Sequence, residues 1–115
     1  MDFKKQKPIY LQIADRLMEQ ILSGEPAADD RMPSVRDVAA SMGVNPNTVM
    51  RTFEYLTGEE IIFNRRGVGY FVASDAKDKI LAEQRREFLE EELPLIRQKM
   101  KILGIPFEQL KPDND

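Results

Sequence analysis

Cysteine, histidine and tryptophan are all missing from the 115 residues. Without Cys there is no disulfide framework and no thiolate nucleophile. Without His, the Ser–His triads, imidazole metal ligation and imidazole acid–base chemistry are excluded, so no cofactor, no metal and no enzymatic activity are expected. Long apolar runs are missing too: nothing approaches the roughly 20 residues of a bilayer crossing, and no membrane partner is expected. The start, MDFKKQKP, carries positive charge with no apolar run behind it, unlike a secretory signal. A cytosolic address follows, since nothing in the chain needs an oxidising compartment. An excess of positive charge is also lacking: 17 Lys and Arg stand against 20 Asp and Glu, a net of −3. Taken whole, that balance argues against nucleic acid. What remains, 42% hydrophobic and 32% charged residues, describes a soluble globular protein of one ordinary domain with a small appendage.

Composition and punctuation divide the chain near residue 74, into a domain over 1–74 and a segment over 75–115. Ile13, Leu17 and Ile21 fall at steps of four, with Tyr10 one turn earlier, which makes one apolar stripe on a helix over 9–23. Pro8 fits its start and Gly24 its stop. EPAADDRMP, with two prolines and adjacent aspartates, reads as a loop. Ser34 then caps a short helix whose inner face is Val35, Val38, Ala39 and Met42, and Gly43 ends it. Asn45 caps the next, with Pro46 at the first position, where a missing amide costs nothing. Val49, Phe53 and Leu56 point inward, and Thr57-Gly58 closes this helix. Ile61-Ile62-Phe63 and Tyr70-Phe71-Val72 change the rhythm to strands around a basic, glycine-bearing tip.

Two short amphipathic helices joined by a glycine turn are how a helix-turn-helix is built, and also how many small helical cores are built. The outward face of the second helix separates the two. It carries Asn47, Thr48, Arg51, Glu54 and Tyr55, where a merely solvated helix more commonly carries Glu and Lys. Asn47 and Arg51 share a face at a spacing of four. Asn can pair with adenine and Arg bidentately with guanine, while helix amides and the dipole attract phosphate. Arg65, Arg66 and Gly67 form the hairpin tip, and guanidinium groups on a compact turn can lie along phosphates or enter a minor groove. Arg36, two residues after the Ser34 cap, projects near its helix N-terminus. The candidate DNA-contacting residues are Ser34, Arg36 and Asn45 before the second helix, Asn47, Thr48 and Arg51 on it, and Arg65, Arg66 and Gly67 at the tip.

Beyond Asp75 the chain returns to a charged helix. Leu89, Leu93, Ile96, Met100 and Leu103 repeat at 4, 3, 4, 3, a heptad seam that Phe88 and Leu95 widen. One helix has nowhere to bury that stripe unless something large faces it, so Phe88, Leu89, Leu93, Ile96, Met100 and Leu103 are expected to form a homodimer interface. Pro94 interrupts the stripe and predicts a kink or two helices meeting there. Gly104 stops the helix, and IPFEQLKPDND reads as a last turn and a loose acidic tail.

The blocks PIYLQI, PSVRDVAA, GVNPNTV and RRGVGYFV, in that order between Pro8 and Ala73, resemble the winged-helix domain of GntR-type bacterial transcription regulators, and the short length suggests the compact YtrA-like subgroup. The resemblance implies a dimeric, repressor-like protein on a palindromic operator of double-stranded DNA. In such proteins the Arg of the PSxR block, the start of the recognition helix and the wing tip touch DNA. Here those are Arg36; Asn45, Asn47, Thr48 and Arg51; and Arg66 with Gly67. The family commonly has basic residues where Pro46 and Met50 stand, so its base-reading set does not transfer. It also has glycine where Asp29 and Glu60 stand. Asp tolerates a left-handed backbone and Glu does so poorly, so the turn at 58–60 is expected to be built differently, with Gly58 in the glycine's role.

The fold expected is therefore mainly α with a small β-hairpin, a winged helix-turn-helix plus a C-terminal helical dimerisation arm. The 41 residues after position 74 are too few to enclose a ligand pocket of ordinary size. A winged helix that serves as a protein-interaction adaptor is the alternative. Net charge no longer opposes DNA: residues 31–51 hold three Arg against Asp37, a local +2, and Arg65-Arg66 add +2 at the tip.

Overall fold

The computed structural model describes residues 6–110. Three helices come first: α1 (Ile9–Ser23), α2 (Val35–Met42) and α3 (Pro46–Gly58). The antiparallel hairpin of β1 (Ile62–Arg65) and β2 (Gly69–Val72) follows, in the register Ile62 with Val72 through Arg65 with Gly69. Then come α4 (Ala76–Glu87), a π-helical turn at Phe88–Glu92, α5 (Leu93–Leu103) and a 3₁₀ turn at Phe107–Gln109. The expected acidic tail at 111–115 and the basic start at 1–5 lie outside the described residues.

The inward positions read from the sequence are the core. Ile13, Leu17 and Ile21 of α1, Val38 and Ala39 of α2, and Val49, Phe53 and Leu56 of α3 are buried together with Ile62 and Val72 of the hairpin. Phe53 has no solvent exposure and meets Tyr70 edge-on, with centroids 5.0 Å apart. Thr52 is the buried polar exception. Its hydroxyl donates to the Tyr10 carbonyl at 2.7 Å, which satisfies it and ties α3 to the first turn of α1.

The caps follow the sequence signals closely. Ser34 Oγ accepts the Asp37 amide at 3.0 Å, and Asn45 Oδ1 accepts the Asn47 amide at 2.8 Å. Gly43 and Gly104 end α2 and α5 in the left-handed conformation. The end of α3 corrects the expectation for residues 58–60. Gly58 stays helical, and Glu60 takes the left-handed position with φ 59°. The reason lies in the hydrogen bonds: Ile61 N–H reaches the Leu56 carbonyl and Glu60 N–H that of Thr57, a Schellman closure that places its left-handed residue at Glu60. Buried Ile61 anchors the far side. Asp29, at φ 68°, is left-handed as its residue type permits.

The hairpin strands extend further toward the tip than the sequence indicated, so only Arg66, Gly67 and Val68 lie between them. Val68 N–H donates to the Arg65 carbonyl, with Gly67 at φ 77° in the turn, where glycine has no Cβ penalty. A third segment joins the sheet's other edge: Met32 N–H donates to Tyr70 O at 2.7 Å and Val72 N–H to Asp30 O at 2.9 Å. The wing is thereby hydrogen-bonded to the loop before α2.

Two compact units divide the chain, Gln6–Ala82 and the residues from Glu83 on. Ala76 and Ile80 of α4 are buried with the helix-turn-helix core, so the first compact unit runs on past residue 74. In the second unit the Pro94 signal is resolved by a change of helix pitch. Leu93 N–H reaches back five residues to the Phe88 carbonyl, and Pro94 falls in the first turn of α5, where its missing amide leaves no bond unmade. The even 4, 3 spacing of the expected seam therefore holds along α5 and is interrupted before it. Arg86 fastens the π turn by ion pairs to Glu83 at 2.7 Å and Glu91 at 3.0 Å. Those hydrogen bonds, Glu83 foremost, raise its pKa above the usual arginine value.

Candidate nucleic-acid interface

The outer face of α3 is fixed by what its inner face buries. With Val49, Thr52, Phe53 and Leu56 turned inward, a helix of 3.6 residues per turn sends Asn47, Arg51 and Glu54 outward, and all three are exposed. Thr48 and Tyr55 are half-buried on the side facing α1. Met50 lies on the other side, where the Tyr70 hydroxyl of the wing comes within 4.0 Å of its sulfur.

The start of α3 is more fully hydrogen-bonded than the sequence suggests. Pro46 has no amide, Asn47 N–H is taken by the Asn45 side chain, and Thr48 N–H donates to the Asn45 carbonyl at 3.0 Å. Phosphate attraction there is left to the dipole and to the Asn45 amide nitrogen. At α2 the Ser34 hydroxyl takes the Asp37 amide and Val38 N–H takes the Ser34 carbonyl. The amides of Val35 and Arg36 then have no partner among the described residues, and the exposed Arg36 side chain stands beside them without an ion pair. Open N–H groups beside a guanidinium suit a phosphate.

Arginines of the interface sit in different states. Arg51 lies over the Tyr10 ring, 4.0 Å from its centroid. Arg65 lies over Phe71 at 4.5 Å, on the face where Phe63 and Phe71 stack at 5.8 Å. Arg66 and Gly67 stand exposed at the tip. Of the two wing arginines, Arg66 is thus the one whose guanidinium projects without an aromatic partner. Two residues outside the sequence-derived set also lie here. Tyr10 is the platform under Arg51. Arg31 is exposed and lies across Gly69, so close that a Cβ on Gly69 would come 2.9 Å from Nε. The DDRMP block could have flagged Arg31 as a third loop arginine. Nothing in the sequence pairs Tyr10 with Arg51.

A tri-helical unit with a hydrogen-bonded wing, a polar helix face and four arginines around it has a known counterpart. The family described as bacterial regulatory proteins, gntR family, matches residues 9–72. The chain belongs to the GntR family. The HTH-type transcriptional regulator YhcF of Bacillus subtilis is 38% identical over 108 residues, covering 94% of this chain and 88% of its own length. The transcriptional repressor YtrA of the same organism is 33% identical over 110 residues, covering 96% and 84%. A structure from Bacteroides thetaiotaomicron assigned to the GntR family matches with a TM-score of 0.77 at 45% identity, covering 89% of this chain and 88% of its own. These GntR likenesses span the C-terminal helices as well as the winged helix, in keeping with the short YtrA-like form. The protein is a GntR-family transcriptional regulator, a DNA-binding class.

In the second unit none of the expected seam residues is buried. Leu93, Ile96 and Met100 are half-buried, while Phe88, Leu89 and Leu103 are exposed, Leu103 by 60%. Ile102 and Phe107 are exposed still further, at 73% and 70%. No residue of α5 is buried. Met100, Gly104, Ile105, Pro106 and Phe107 line an open hollow of about 540 Å³, with Arg97 and Lys101 at its edge. No helix among the described residues is long and apolar enough to cross a membrane.

Proposed function

We propose that this GntR-family protein is a cytoplasmic repressor that binds a palindromic operator as a homodimer. The observation that carries the reading is the polar outer face of α3, Asn47 and Arg51 exposed at a spacing of four, with Arg36 in the first turn of α2 and Arg66 at the wing tip exposed as well. Asn47, Thr48 and Arg51 approach base edges or nearby phosphates in the major groove. Arg36 and the open amides of α2 hold the backbone, with Ser34 and Asn45 fixing the helix starts, and Arg65, Arg66 and Gly67 follow the flank.

Homodimerisation rests on the apolar side of the C-terminal helices, where Phe88, Leu89, Leu93, Ile96, Met100 and Leu103 are half-buried or exposed among the described residues. Two copies then read half-sites about one helical turn apart or somewhat more. The test is binding of the full chain to duplexes selected from a random pool, measured across salt concentrations. Operator binding shows a steep loss of affinity with salt and a preference for one duplex over scrambled ones. A protein adaptor shows neither, and that result would replace this reading.

A further inference from the structure

We propose that Tyr10 is a positioning residue of the DNA-reading face: its ring is a platform that holds the Arg51 guanidinium at the outer surface of α3. The inference rests on the reading of α3 as the DNA-contacting helix and adds a residue from outside it. The guanidinium lies 4.0 Å from the ring centroid. A guanidinium carbon this close to a ring is held by the ring quadrupole, and the contact uses none of its N–H donors. Arg51 is exposed and forms no ion pair or hydrogen bond among the described residues. The stack therefore orients the group without satisfying it, as a fork waiting for a two-acceptor partner requires.

The platform is itself held in place by α3. The buried Thr52 hydroxyl, next in sequence to Arg51, donates to the Tyr10 carbonyl at 2.7 Å. Tyr55, one turn on, meets the Tyr10 ring edge-on at 6.3 Å with 77° between planes. Thr52 thus holds the Tyr10 backbone, while Arg51 and Tyr55 meet its ring. A free arginine samples many rotamers, and binding must select one of them. A stacked one meets the acceptor pair with that selection already made. The partner chemistry is two acceptors at fork spacing, which guanine offers through O6 and N7 and the backbone through two phosphate oxygens.

The experiment uses the full chain and its selected operator, with affinity read by fluorescence anisotropy. Tyr10→Phe keeps the ring and is expected to bind within about two-fold of the parent. Tyr10→Leu removes the platform and is expected to weaken binding about three-fold, in line with an exposed cation–π contact. In an Arg51→Ala background the same Tyr10→Leu change adds no further loss. Tyr10→pentafluorophenylalanine keeps the shape but reverses the ring quadrupole. It is expected to reproduce the Leu loss with an unchanged melting temperature, which a merely structural role would not do. Repeating the selection with Tyr10→Leu shows which acceptor pair is used: weaker preference at one base pair means guanine, and a uniform loss means phosphate. Equal losses from Tyr10→Leu with and without Arg51, or a Phe variant as weak as the Leu variant, would overturn the platform while leaving operator recognition standing. Full binding by Arg51→Ala would remove both Arg51 and its platform from the interface. Failure to enrich any duplex would instead defeat the functional reading beneath them.

Discussion

Buried side chains lie between Ile13 and Ile80, inside the unit that ends at Ala82, whereas α5, with leucines, isoleucines and a methionine of its own, buries none. The first unit closes its apolar stripes on one another: α1 on α3, α2 on α3, and the hairpin against α3, with Ile62 and Val72 in the shared core. The described residues of the second hold one amphipathic helix and two short turns, with no buried side chain among them. Similar hydrophobic patterning thus serves two purposes. In one region it makes a self-sufficient core, and in the other an incomplete one that a second copy is proposed to complete. Exposed Leu103, Ile102 and Phe107 are what that incompleteness looks like in a single chain.

Four changes break or sharpen this contrast. The largest effect is expected in the closed core: Phe53→Ala removes a fully buried ring packed on Tyr70 and should cost about 3–5 kcal/mol in denaturant unfolding. A cost under about 1 kcal/mol would mean that the core is not organised around Phe53. In the arm, Ile96→Glu with Met100→Glu should give monomers by light scattering, lower operator affinity, and leave the winged helix folded by circular dichroism. Dimers that survive both changes place the interface elsewhere. Thr52→Val removes the hydroxyl bridge to Tyr10 and should destabilise the first unit by about 1 kcal/mol without altering the dimer.

Smallest, and opposite in sign, is Glu60→Gly. The left-handed backbone at φ 59° costs a non-glycine residue roughly 1–2 kcal/mol, part of which glycine's extra unfolded-state entropy offsets. A gain of about 0.5–1 kcal/mol and a slightly higher Tm are expected. The Lys79 bond to the Glu60 carbonyl, at 3.2 Å, is a backbone contact and survives the change, while the exposed Lys79–Glu60 ion pair at 3.9 Å is lost at little cost. A loss of stability would show that the Glu60 side chain contributes more than its exposed position suggests.

How legible each part was in the sequence depends on how local its cause is. The helix starts at Ser34 and Asn45-Pro46, the stops at Gly24, Gly43 and Gly104, and the stripes Ile13-Leu17-Ile21 and Val49-Phe53-Leu56 are set within one or two turns of chain, and they read correctly. Glu60 did not, because a Schellman closure is imposed by where Ile61 must be buried, and that requirement overrides the residue's own preference. Nor did the extent of the first unit, since Ala76 and Ile80 look like any helix start until the core they pack into is known. The π turn at Phe88–Glu92 is a compromise between a continuing helix and Pro94, and periodicity showed only that something must give. The proposed DNA-contacting face divides in the same way. Asn47, Arg51, Arg36 and Arg66 follow from subtracting the core from a helix and locating a turn. Arg31 across Gly69, the spent amides of Asn47 and Thr48, and Arg51 on Tyr10 depend on pairs distant in sequence or on cap geometry.

The division between a reading unit and a pairing arm is tested most directly by selecting duplexes from a random pool with the full chain and sequencing those retained. The account predicts enrichment of an inverted repeat whose half-sites are centred about one helical turn apart or somewhat more. Enrichment of a single unrepeated site, or of no sequence at all, would contradict it.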